Sequence, residues 1–135
     1  MGRFADRVRK WGQKTEQRMD ATFRGASLEA LTRLILSTPV DSGLARGNWQ
    51  VSFDMPSQGF IDRHDASGNL TIADGTGVIN RASSDVTLYI TNSLPYIRRL
   101  EFGHSKQGAN MVAKLVSDWD GIVRQAASNA ERAYP

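Results

Sequence analysis

Two histidines are the first place to look for chemistry in this chain. His64 lies in Asp62-Arg63-His64-Asp65, where an imidazole and two carboxylates offer a metal-ligand set. On an extended segment Asp62 and His64 share one face and Asp65 takes the other, and a solvated hairpin end accounts for all three residues equally well. His104 follows Glu101 by three positions, a helical ligand spacing, but Gly103 between them breaks the helix that would align them. No serine sits in a Gly-x-Ser-x-Gly turn. Gly43-Leu44-Ala45-Arg46-Gly47 has the glycine spacing of a phosphate loop without its Gly-Lys-Ser/Thr ending, and it is expected to precede a strand, not to open a helix. The chain has no cysteine, which removes disulfides, thiolate metal sites and a cysteine nucleophile together. No nucleophile, base and oxyanion donor come together, so the chain reads as a non-enzyme that calls for no cofactor and no metal.

The charges are more informative in their placement than in their sum, a modest +3. Arg3, Arg7, Lys10, Lys14 and Arg18 recur on a helical period, beside an apolar stripe of Phe4, Val8, Trp11, Thr15 and Met19. Such a helix could track phosphates, with Trp11 stacking on a base, and a DNA-binding accessory protein is the alternative reading. Asp6, Glu16 and Asp20 dilute the positive field, and no recognition motif is present. A charged flank on a helix between subunits explains the same residues more simply.

The elements that carry these residues follow from periodicity. At 135 residues, 40% hydrophobic and 23% charged, the chain has room for one folded domain. Residues 3–37 read as helix, with a change of apolar phase after Gly25: Leu28, Leu31 and Ile35 point well over about 100° away from Phe4, Val8 and Trp11. Either the helix kinks at Gly25 or its halves face different neighbours. Residues 1–24 are the candidate for a projecting arm, and Pro39 ends the helix. Trp49, Val51 and Phe53 alternate as a strand, as do Val86, Leu88 and Ile90. Phe60–His64 and Leu70–Ile72 are expected to form a hairpin, with Asp74 capping a short helix to about Ala82. Tyr96–Phe102 reads as a short helix and 109–133 as a long one. The expectation is one α+β domain: a small, mostly antiparallel sheet packed with a long N-terminal helix and a C-terminal helix. No apolar run spans a membrane and no signal-peptide core is present, so synthesis in the cytoplasm is expected.

Two stretches resemble the small tail-completion and head–tail joining proteins of long-tailed bacteriophages. The first is Thr38-Pro39-Val40-Asp41-Ser42-Gly43-Leu44-Ala45-Arg46-Gly47-Asn48-Trp49. The second runs from Tyr89 through Asn92-Ser93-Leu94-Pro95-Tyr96 to Leu100-Glu101-Phe102-Gly103-His104-Ser105-Lys106-Gln107. Pro39, Val40, Asp41 and Gly43 match the family's Pro-Val-Asp-Thr-Gly turn, with Ser42 in place of Thr. Arg46, Gly47 and Trp49 match its Arg-Gly-x-Trp strand entry, and Asn92, Pro95, Tyr96, Glu101, Phe102 and Gly103 match its later block. The family often has Pro and Gly after position 107, whereas Gly108-Ala109-Asn110-Met111 stands here. The resemblance implies a structural virion protein of the phage neck, made in the host cytoplasm. It would form a homo-oligomeric ring, sixfold like the tail, that meets the tail tube protein and a head-closure or connector protein. Genome DNA would pass through without sequence-specific contact, and no membrane is involved. Within that picture Phe4, Val8, Trp11 and Met19 are the candidate inter-subunit residues.

Overall fold

A computed structural model describes residues 2–135. Helix α1 (Gly2–Ser37) leads to a one-turn helix α2 (Leu44–Gly47), strand β1 (Gln50–Phe53) and helix α3 (Asn69–Ile79). Strand β2 (Leu88–Thr91), the short helix α4 (Ile97–Glu101) and helix α5 (Met111–Ala133) complete the chain. The fold is α+β, with a single two-stranded antiparallel sheet that sets Val51 opposite Ile90 and Ser52 opposite Tyr89. Two strands alone are marginal in water and need a surface to lie on. Here Val51, Leu88 and Ile90 rest on a core of Leu31, Leu34, Ile35, Trp49, Ile79 and Met111.

Helix α1 runs unbroken through Gly25, and its two halves face different neighbours. One face buries Leu31 and Ile35 completely beneath the sheet and α3. The other receives α5, which runs antiparallel to it. Thr38 meets Met111 at one end, Arg33 pairs with Asp118 midway, and Arg18 Nε donates to the Tyr134 carbonyl at 2.7 Å at the other. Gly25 faces this contact: a Cβ there would stand 3.5 Å from the Ala126 Cβ, an ordinary van der Waals distance that an alanine could also occupy.

Because α5 ends level with Arg18, residues 2–17 run on past it for about 24 Å at ~1.5 Å per residue. Among the described residues no side-chain hydrogen bond or ion pair joins 2–17 to the rest of the chain. Their only ones are local, Arg9 to Asp6 and Thr15 to the Trp11 carbonyl. Residues 18–24 of the expected arm are tied to the body: Asp20 accepts from the Ser84 amide at 2.8 Å, and Arg24 donates to the Ala82 carbonyl at 3.0 Å. Met1, the first residue of that expected arm, lies outside the described residues.

The expected hairpin of Phe60–His64 with Leu70–Ile72 does not form. Residues 60–64 are extended but unpaired, because the Asn48 carboxamide takes both the N–H and the C=O of Ile61, at 2.7 and 2.9 Å, where a strand partner would have bonded. Leu70–Ile72 belong to α3, which begins five residues before Asp74; the start of that helix is held by Asp65 instead. Gly43–Gly47, expected to lead straight into a strand, winds into α2 first, closed by a bond from the Gly47 amide to the Gly43 carbonyl.

Candidate functional site

The two sequence blocks converge on one place in the fold, the junction where α1 ends and α5 begins. Arg46 occupies its centre. Its guanidinium donates to the carbonyls of Leu36, Thr38 and Ala66 at 3.0, 2.9 and 2.8 Å. The last carbonyls of a helix have no intrahelical partner and carry partial negative charge, and a planar cation with five donors answers both needs. Thr38, fully buried, donates to Leu34 at 2.6 Å and accepts from the Trp49 indole at 2.8 Å. Pro39 is buried behind it. Gly43 takes φ +87°, and a Cβ there would press on the Ala66 amide; a Cβ at Gly47 would collide with the Arg63 carbonyl.

The second block closes over the first. The Asn92 amide donates to the Ala45 carbonyl at 2.9 Å, and its oxygen accepts from Leu94. Pro95 and Tyr96 form the turn into α4, and Gly103 leaves it at φ +98°. Pro39, Val40, Asp41 and Gly43 share the wall of a shallow 280 Å³ depression with Tyr96 and His104. Asp41 is exposed and makes no side-chain hydrogen bond among the described residues; Ser42 bonds the Leu44 amide in the turn instead. Glu101 turns inward and accepts from the amides of Val112 and Ala113 at 2.9 and 3.1 Å, capping the N-terminus of α5. Phe102 is left 75% exposed beside it.

Two participants in this junction lie in segments the sequence singled out but carry no expected role: Gln107 at the end of the second block and Arg63 beside His64. Gln107 folds its carboxamide against Val40, accepting from its amide at 2.6 Å and donating to its carbonyl. Arg63 donates to the Gly47 carbonyl at 2.8 Å and pairs with Asp74. A glutamine and an arginine in polar loops give no periodic signal that would single them out.

The metal-ligand set does not assemble. His64 Nε2 lies 2.9 Å from Asp62 on the surface, while Asp65 is buried and accepts from the amide and hydroxyl of Thr71 at 2.8 and 2.7 Å and from the Gly68 amide at 3.2 Å. Burial alone would raise the Asp65 pKa. The bonds from Thr71, Gly68 and Ser67 outweigh it and hold the carboxyl below its ordinary value. Glu101, likewise, is committed to α5 and unavailable to His104. Among the described residues no three His, Asp or Glu side chains are grouped to hold a cation.

Besides single exposed side chains such as Met55, Phe60, Leu70 and Phe102, two apolar stripes on the long helices stay open to solvent. Phe4, Val8 and Trp11 are 71%, 52% and 70% exposed, and Met19 is exposed as well. Their stripe continues the α5-facing side of α1 beyond the point where α5 stops. Arg3, Arg7, Lys10 and Lys14 flank it without a carboxylate in ion-pair range among the described residues. On α5, Val112, Val116 and Trp119 form a second exposed apolar stripe. No helix of the described residues is long and apolar enough to cross a membrane. Compared with protein-family models, with curated proteins and with solved structures, the chain matches none.

Proposed function

We propose that this chain is a structural subunit of a bacteriophage neck, assembling into a ring that completes the tail and joins it to the head. One observation carries the reading: a helical arm about 24 Å long bears an uncovered Phe4–Val8–Trp11 stripe, while the motif side chains of Arg46, Trp49, Asn92 and Glu101 are spent on internal bonding. A lone monomer gains nothing by presenting two aromatic rings on a free helix; a subunit in an assembly buries them. The resemblance of the two blocks to tail-completion proteins supplies the setting, and their convergence on one rigid junction supports treating them as one motif. Electron microscopy of virions assembled without this chain tests the role. Separate full heads and finished tails are expected; normal particles would refute it.

The unpaired Arg3, Arg7, Lys10 and Lys14 support a second reading, in which the arm binds duplex DNA. A mobility shift that persists at physiological salt would favour it over the ring.

A further inference from the structure

We infer that the surface receiving the arm is helix α5 of a second copy of this chain, with the arm running opposite to α5 and Val8 and Trp11 seated against Trp119 and Val116. This rests on the ring reading and adds to it the face that closes the ring.

The two stripes, exposed except for the half-buried Thr15 and Val123 (the latter also packed against Ala26, Ile122 and Ala126 of its own chain), have the same spacing. Phe4, Val8, Trp11 and Thr15 are separated by four, three and four residues, and so are Val112, Val116, Trp119 and Val123. That is the spacing of a seam between two helices. Run in the same direction, the stripes set Trp11 on Trp119 and Val8 on Val116. Run in opposite directions, they set Phe4 on Val123, Val8 on Trp119 and Trp11 on Val116, each large side chain against a small one, which is how facing layers interdigitate. Symmetry selects the same sense. Equivalent helices of neighbours in a sixfold ring differ in direction by at most about 60°, so a neighbour's arm must run broadly along this copy's α1 and therefore against its α5. Crossing angles of that size are within ordinary helix packing and concentrate the contact on the two central layers.

Charge agrees. Residues 2–17 carry five basic side chains against two acidic ones, whereas the stretch 112–123 carries Asp118 and Asp120 against Lys114 alone. Asp120 is exposed without an ion-pair partner among the described residues, whereas Asp118 is held by Arg33 and Arg9 by Asp6, so Asp120 is the carboxylate left to meet an incoming basic arm. The area explains why a ring is needed. The exposed parts of these rings and valines amount to roughly 600 Å², taking ~200 Å² for an aromatic side chain. A stable pair buries about 1,200–2,000 Å². One contact is therefore weak by itself, while in a closed ring every copy makes it twice.

The absence of cysteine makes the test clean. Gly12→Cys, where an added Cβ meets nothing within 4 Å, and Val116→Cys are prepared as separate full-length proteins, mixed and oxidised. The expected product is the mixed disulfide, well above the half share that chance pairing gives, together with an at least tenfold rise in the assembly concentration for Trp11→Asp at unchanged melting temperature. Dominant Gly12→Cys homodimers would mean that arms pair with each other and would overturn the inference. Rings in light scattering without the mixed disulfide would overturn this docking and leave the ring standing. A monomer at every concentration would remove both.

Discussion

Replacing Asp65 with alanine isolates the contribution of a single buried carboxylate to the way the loop after β1 is tied to α3. In the native chain this carboxylate is 5% exposed and takes three well-formed hydrogen bonds, from the Thr71 amide and hydroxyl and the Gly68 amide. Thr71 itself is 1% exposed, so Asp65→Ala strands two of its donors away from water. Each such orphan costs about 1–3 kcal/mol, which puts the loss at roughly 2–6 kcal/mol. Against a typical total of about 5–15 kcal/mol, that is a large shift in urea midpoint. Asp65→Asn, which retains an acceptor for Thr71 but turns an amide toward Gly68, should lose less. Thr71→Val should cost clearly less in the Asp65→Ala background than in the native one, because its hydroxyl partner is already gone. The carboxyl also ionises more readily folded than unfolded, where its pKa is about 3.9. Its contribution is thus complete above the unfolded value and is lost as pH falls through the folded one, so Asp65→Ala should flatten the acid limb of the stability profile. A loss under ~1 kcal/mol at pH 7, or additive effects of the two substitutions, would refute the idea that this carboxylate anchors α3.

Further substitutions probe the junction and the arm. Arg46→Lys keeps the charge but cannot reach three carbonyls in different directions, and should lower the unfolding free energy by about 1–2 kcal/mol in denaturant titration. Glu101→Ala removes the cap of α5 and should cost about 0.5–2 kcal/mol, visible as a lower melting temperature. Gly47→Ala drives a methyl into the Arg63 carbonyl and should abolish folding or cost over ~2 kcal/mol, read by circular dichroism melts. Trp11→Asp, on the exposed arm, should change the stability of the isolated protein by less than about 0.5 kcal/mol.

The long helices and both strands were legible because their signals are periodic. Trp49-x-Val51-x-Phe53 and Val86-x-Leu88-x-Ile90 alternate, and the Met111–Ala133 face repeats every three or four residues. Helix α3 was misread for physical reasons. Leu70-Thr71-Ile72 has the composition of a strand, and Gly75 and Gly77 argue against a helix. Yet Gly75 is where Leu31 and Val51 press on the helix, so that a side chain there would collide with Leu31; close packing offsets the helix propensity it lacks. The junction was legible as two motifs but not as one site, since the bonds that unite them, Asn92 to Ala45 and Gln107 to Val40, span 47 and 67 residues. Asp65 drew notice as a ligand because its chemistry is visible in the sequence, while its partner Thr71 is not.

The division of labour that results is itself an argument about how such a chain associates. Arg46, Gly47, Trp49, Asn92 and Glu101 are spent on internal bonds or close approaches, so changing them should loosen the junction before it alters any interface. Phe4, Trp11 and Val116 stay two-thirds or more open to solvent, while Val8 and Trp119 are about half exposed. The bonded junction at the meeting of α1 and α5 ties those helices together, and under the ring proposal the angle between them would set how the arm and its receiving face are presented to neighbouring copies. A closed ring depends on that angle being repeated in every copy, since a small error per subunit opens the ring into a spiral. In the proposed ring the heavily bonded motif and the sparsely bonded arm would be two halves of one requirement: the first holding the geometry, and the second supplying the apolar surface that the geometry delivers.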